Sequence, residues 1–261
     1  MRLTKRDKTV INLLYQFRYM SFPQLERTYK LSKGTVYNRL AILRHYDYIE
    51  KNDNNIYFLG KKSLEIINGS ISLNIFKKPK QLFIGHLLKI NDFWMLLKNV
   101  CKTSEISLDK FLPEYHGGYF KGYPRNFLGD TVIGISHTPD AVFVLKFNGK
   151  KALFFLEIDN GTEGLSNLSK GVLKIINFYL HYLSCGTFVK YNQLFDYTFL
   201  NFHALFVTTN EKRITNIQKA SDKVNFLGIQ KEFIWLKTSE QVELDMFNNW
   251  VSLTGKTYEI R

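Results

Sequence analysis

Only two cysteines, Cys101 and Cys185, occur in the 261-residue chain, and neither stands at metal-ligand spacing. That excludes a disulfide scaffold. Both read as reduced core residues of a cytoplasmic protein, with a single disulfide left open. The six histidines form no close pair, so a zinc site lacks ligands. No apolar run reaches the length of a membrane span, and the opening MRLTKRDK soon turns amphipathic, unlike a signal peptide. No membrane partner is expected. Acid is also scarce: 23 Asp+Glu stand against 36 Lys+Arg, a formal net charge of +13. Disorder is excluded by what is abundant, since 45% of residues are hydrophobic and 22 are Phe and 15 Tyr.

The basic excess is concentrated. Residues 1–80 hold 16 Lys+Arg against 6 Asp+Glu, whereas residues 81–261 hold 20 against 17. A local surplus of this kind is the electrostatic footprint of a polyanion-binding surface. Without a membrane segment, double-stranded DNA is the expected polyanion.

The same third of the chain patterns as three helices and a hairpin. Thr4 and Asp7 make a variant capping box before the stripe Val10, Leu13, Leu14 and Phe17. Ser21 and Gln24, with Pro23 in the first turn, start a second helix over Phe22 to Tyr29. Ser32 caps a third, whose Val36, Leu40 and Leu43 form an apolar stripe. Residues 48–51 and 56–59 flank Asn52-Asp53-Asn54-Asn55, a turn rich in residues that accept positive φ. This order predicts a winged helix-turn-helix over residues 1–67, with its third helix in a major groove. Lys33, Thr35, Tyr37, Asn38, Arg39 and Arg44 make the acid-free face of that helix, with Thr35, Asn38 and Arg39 placed to reach base edges. The wing residues Lys51, Asn54 and Asn55, and Arg2, Lys5, Arg6 and Lys8 around the first helix start, are the expected phosphate contacts.

A linker is expected over residues 68–79, where Lys77-Lys78-Pro79-Lys80 breaks the pattern. Residues 80–261 then read as a mixed sheet covered on both faces. Helices are predicted near 80–101, 165–183, 211–224 and 240–251, and strands near 106–112, 139–147, 151–159, 202–209 and 233–238. Asn148-Gly149 is a strong hairpin signal. In the loop region 114–129, Tyr115, Tyr119, Phe120 and Tyr123 alternate with Lys121 and Arg125, a mixture that suits either nucleic acid or packing on the body.

Asp140, Glu157 and Asp159 fall at one end of the 139–159 hairpin and are expected to approach one another. Crowded carboxylates call for a divalent cation or a lysine between them. The spacing of Pro139-Asp140 from Glu157-x-Asp159 resembles the active-site hairpin of the PD-(D/E)xK nucleases. That resemblance implies Asp140 and Glu157 as Mg²⁺ ligands. Asp159 occupies the place of the family's lysine, which leaves Lys170 or Lys174 as the candidate ammonium and Glu114 or Glu163 as a further ligand.

The whole order is similar to the replication-relaxation family of plasmids and integrative mobile elements. The residues that carry this resemblance are Tyr57-Phe58-Leu59-Gly60, the His86–Asp92 segment, Pro139-Asp140-Ala141-Val142, the Phe154–Glu163 string FFLEIDNGTE, Lys170 and Tyr179. It implies a cytoplasmic DNA-binding accessory factor in replication, copy-number control or mobilisation. The fold class is α+β or α/β, with an N-terminal winged helix-turn-helix and a restriction-endonuclease-like body that does no cutting. The expected partners are duplex DNA, a second copy of the chain, and a relaxase or replication initiator. No cofactor is expected, except Mg²⁺ if the body cuts. Two alternatives accompany this reading: a Mg²⁺-dependent endonuclease or nickase, and a winged-helix transcription repressor.

Overall fold

The computed structural model describes residues 2–67, 81–114, 127–226, 228 and 231–260. Thr4 and Ser21 each close a reciprocal capping box, with Asp7 and Gln24 respectively, and so start α1 (Lys5–Phe17) and α2 (Phe22–Tyr29). Met20–Ser21, just before α2, forms the short strand β1. A third helix, α3 (Lys33–His45), precedes strands β2 (Ile49–Lys51) and β3 (Ile56–Leu59). β3 pairs antiparallel with both β2 and β1, so the small sheet runs β1-β3-β2. Val10, Leu14, Phe17, Leu25, Val36, Leu40 and Leu43 are all buried beneath it, because the apolar stripes of three helices need a common core. Three helices followed by a hairpin is the element order the sequence predicts for residues 1–67.

Two local expectations change. Ser32 sits at the N-cap of α3, but its hydroxyl pairs with that of Thr35 at 2.8 Å and caps no backbone N–H. Residues Lys61–Glu65 form a 3₁₀ turn, where the sequence predicts a last helix leaving the wing over 61–67.

Helix α4 (Gln81–Val100) follows. The expected linker at 68–79 lies outside the described residues, and the chain divides into two compact units within α4, after Phe93. In the first unit, the Gln24 amide donates to the Leu88 carbonyl at 2.9 Å and the Asn91 amide donates to that of Tyr19 at 2.7 Å. The opening turns of α4 are thereby tied to the three-helix core.

The second unit is built on a seven-stranded mixed sheet. Its elements are β4 (Ser107–Pro113), β5 (Asp130–Val132), β6 (Ile135–His137), β7 (Ala141–Phe147), β8 (Lys150–Ile158), α5 (Gly171–Ser184), α6 (Lys190–Phe195), β9 (His203–Thr208), α7 (Glu211–Ser221), β10 (Ile234–Thr238), α8 (Ser239–Leu244), β11 (Trp250–Ser252) and β12 (Thr257–Tyr258). The sheet order is β12-β11-β10-β9-β8-β7-β4, and β5 and β6 form a separate hairpin. β4, β7 and β8 are antiparallel neighbours, while β8, β9 and β10 run parallel. The Asn148-Gly149 turn joining β7 to β8 has φ of 48° and 76°, as a two-residue primed turn requires. The parallel strands are linked through α5 and α7, and these helices pack against each other, as right-handed crossovers on one sheet face dictate. β9 and β10 are buried nearly end to end, and β9 accordingly reads as a continuous apolar run.

The expected helix at 165–183 begins only at Gly171, and Leu168 is exposed. Gly171 has φ of 66°, and a β-carbon there would stand 2.4 Å from the Gly164 carbonyl oxygen, so the chain must turn before it can coil. The helix expected over 240–251 stops at Leu244 and gives way to β11. Cys185 is exposed and Cys101 half-buried, both as free thiols, so neither belongs to the core.

The β5–β6 hairpin was not expected at all. Its turn is Ile133-Gly134, with Ile133 at φ of 47° and 68% exposed. A β-branched residue in the left-handed region is unfavourable, and it masks the turn from a sequence reading. Ile133→Asn should restore a favoured turn pair and raise the thermal stability of the body by about 1 kcal/mol. Unchanged or lower stability in calorimetry would contradict that account of the turn.

Candidate functional site

On α3 the apolar stripe faces the core, which leaves Lys33, Thr35, Tyr37, Asn38 and Arg44 exposed on the other side. The wing turn between β2 and β3 is fixed by Asn52, whose side-chain oxygen accepts from the backbone N–H groups of Asn54 at 3.1 Å and Ile56 at 2.9 Å. Asn55 occupies the left-handed region at φ of 57°, and its side chain accepts from Lys51 Nζ at 2.7 Å. Helix and wing border one groove of about 660 Å³, lined by Ser21, Phe22, Pro23, Lys33, Gly34, Tyr37, Asn38, Asn54, Asn55 and Tyr57. Five of the residues expected to touch DNA therefore share one concave surface. None of the ten lining residues is acidic.

Arg39 requires a correction. Expected at base edges, it instead turns toward α1, where its Nε donates to Asp7 Oδ1 at 2.8 Å and its Nη2 to Asp7 Oδ2. The Asp7 side chain has no solvent exposure and also accepts from the Thr4 N–H, the Thr4 hydroxyl and the Tyr29 hydroxyl. Burial by itself would push the Asp7 carboxyl up, but the Arg39 and Thr4 hydrogen bonds outweigh it and hold the group below the usual carboxylate range. A buried carboxylate recruits a guanidinium within reach, and Arg39 becomes a staple of α1, α2 and α3. Arg2, Lys5 and Arg6 lie exposed around the same helix start, and the Arg2 carbonyl accepts from Arg39 Nη2 at 3.2 Å.

The acids of the second unit also have partners of their own. Asp140, just before β7, accepts the Ile158 N–H at 2.6 Å and so ties the ends of the two strands. Glu157 accepts from the Tyr179 hydroxyl and lies 2.7 Å from His137 Nε2. Burial pushes the Glu157 carboxyl up, against the pull of His137. Burial would push His137 down, but the Glu157 carboxylate overrides it and the ring's affinity for a proton rises. Asp159 is held by Arg213 through both oxygens, at 2.6 and 3.1 Å, and accepts from the Thr208 hydroxyl and the Gly161 N–H.

The expected convergence of three carboxylates is therefore not formed. Asp140 still lies near enough to act on Glu157 and His137, and Asp159 is withdrawn by Arg213. Lys170 is exposed at the start of α5, whereas Lys174 one turn on is half-buried and its charge acts on His137. Among the described residues no group of three His, Cys, Asp or Glu is arranged to hold a metal ion. The aromatic loop expected to meet nucleic acid lies, from 115 to 126, outside the described residues.

Three contributors were missed from sequence. His137 stands two residues before Pro139-Asp140, but with no second His nearby it carried no ligand signal. Tyr179 fell on the buried line of its helix and within the family resemblance, but neither assigned it to an acid. Arg213 lies on the polar face of an amphipathic helix, where nothing distinguishes it from a solvated cation.

Fold and site define a class: a basic three-helix unit with a hairpin wing, in one chain with an α/β body whose carboxylates are internally satisfied. The chain belongs to the replication-relaxation family, whose model matches residues 11–198. That span takes in α3, the wing, His137 and all three acids, and ends before β9. Membership ties the chain to replication or mobile-element function. No curated protein and no solved structure matches it. Among the described residues no single helix is long and apolar enough to cross a membrane.

Proposed function

We propose that this chain is a double-stranded DNA-binding accessory factor acting in plasmid or mobile-element replication, copy-number control or mobilisation. The observation that carries the reading is the meeting of α3 and the wing on one acid-free groove, within the third of the chain that holds most of the net positive charge. α3 enters a major groove, with Asn38 and Tyr37 at base edges and Lys33, Arg44 and Lys51 on phosphates. Arg2, Lys5 and Arg6 extend the phosphate grip from the start of α1. Arg39 does not read bases; it seats the helix that does. The α/β body serves as a scaffold for a second copy and for a relaxase or replication initiator, and a two-fold dimer suits a palindromic site.

The test is duplex binding at graded salt. Each phosphate contact contributes about −0.9 to the slope of log K against log [salt], so Lys33→Ala and Arg44→Ala should each flatten it by about one. Slopes equal to wild type would remove these residues from the interface, and no retention of duplex at low salt would end the reading. Supercoiled plasmid with Mg²⁺ should stay intact. Nicking that Asp140→Asn abolishes would favour an endonuclease instead. Footprints confined to promoters would favour a transcription repressor.

A further inference from the structure

The groove between α3 and the wing is larger and more apolar than phosphate contacts alone require. Phe22 and Tyr57 line it, and Tyr57 is 2% exposed. Tyr37, 58% exposed, forms part of the same lining. Among the described residues, the carboxamides of Asn38 and Asn54 are bonded to no other side chain or backbone group. Lys33 belongs to the lining, and Arg44 lies close enough for its charge to act on the Tyr57 hydroxyl. A volume of about 660 Å³ falls within the range of pockets that enclose small molecules.

We infer that this groove is a binding site for a single unstacked nucleobase of a DNA strand, an assignment that rests on the DNA-binding reading above. The exposed Tyr37 ring offers a stacking surface to any base. Carboxamides match the paired donor and acceptor of a base edge, adenine above all. Cations beside the groove hold the phosphates that flank the base. In an intact duplex the bases stay stacked and none can enter such a pocket, so the groove selects DNA that is bulged, mispaired or partly unwound. An apolar peptide would use the rings but has no need of the free amides or the basic surroundings. The protein thereby distinguishes opened from closed duplex with the same helix that grips the backbone.

The experiment compares two labelled duplexes of one sequence by fluorescence anisotropy with the full chain, one fully paired and one carrying a single unpaired adenine. Wild type should bind the bulged duplex about tenfold more tightly. In Tyr37→Ala and in Asn38→Ala that ratio should fall toward one. With 2-aminopurine as the unpaired base, binding to wild type should quench its fluorescence through ring stacking, and Tyr37→Ala should relieve the quenching. Equal affinity for the two duplexes, both bound, would overturn the pocket and leave the DNA reading intact. A bulge preference that both variants retain would overturn the location. Failure to bind either duplex would overturn the DNA reading and the pocket with it.

Discussion

Asp7→Ala should destabilise the first unit by about 3–5 kcal/mol, because it removes at once the acceptor of the buried Tyr29 hydroxyl, of the Thr4 cap and of the half-buried Arg39 guanidinium. The Asp7 carboxylate accepts five hydrogen bonds from three residues on three different segments: Thr4 before α1, Tyr29 on α2 and Arg39 on α3. With it gone, the Thr4 cap loses its reciprocal partner and the buried Tyr29 hydroxyl loses its acceptor. Native-state hydrogen exchange reads the effect unit by unit, and the protected amides of α1, α2 and α3 should lose protection together. Arg39→Ala in the Asp7→Ala background should add little, since the two residues act as a pair. Protection within 1 kcal/mol of wild type would refute the staple.

The pH dependence has a definite sign. The Arg39 and Thr4 hydrogen bonds hold the folded Asp7 carboxyl below its ordinary value, so the unfolded chain binds the proton more readily. The stabilisation is complete above the unfolded value and is lost as pH falls through the lower, folded one. A loss of DNA binding in Arg39→Ala should therefore accompany lost helix protection, and a variant that keeps full protection yet cannot bind would return Arg39 to the DNA interface.

Glu157→Ala should cost the second unit about as much, about 3–5 kcal/mol, since it leaves the buried Tyr179 hydroxyl and His137 without their acceptor. Glu157→Gln keeps an acceptor for Tyr179 and should cost less. Both groups hold protons more tightly folded than unfolded: His137 above 6.5 because of Glu157, and Glu157 above 4.5 because of burial. The folded state therefore binds more protons, and stability falls as pH rises. The decline begins above about pH 4.5 with Glu157 and continues past 6.5 as His137 loses its charge. Asp140, Lys174 and Tyr179 face the same pair and stay in place in both variants. Thermal melts from acid to alkaline pH should show this slope in wild type and a flatter one in Glu157→Gln. An equal slope in the two would place the proton elsewhere.

Both networks show where reading by pattern stops. The capping boxes at Thr4 and Ser21, the apolar stripes of α1 and α3 and the Asn148-Gly149 turn are encoded within a few residues, and each was legible. The Ile133-Gly134 turn was not, because its first residue is one that turns avoid. The helix predicted over 240–251 holds only to Leu244, because Trp250 pairs with Tyr258 of β12 and Ser252 with Trp235 of β10. Arg39 could not be assigned from its own segment, since its partner lies 32 residues away.

By itself, the order of residues determined the helix caps, the apolar faces, the wing turn and the concentration of positive charge in the first third, since all of these depend on neighbours along the chain. Tertiary structure decided which polar side chains stay available. It turned Arg39 inward to Asp7, spent Asp159 on Arg213 and Glu157 on His137 and Tyr179, and left Tyr37, Asn38 and Asn54 around an open groove. The physical reason is that a buried charge takes whichever opposite charge or hydrogen-bond donor the fold brings within about 3 Å, and sequence spacing does not encode that encounter.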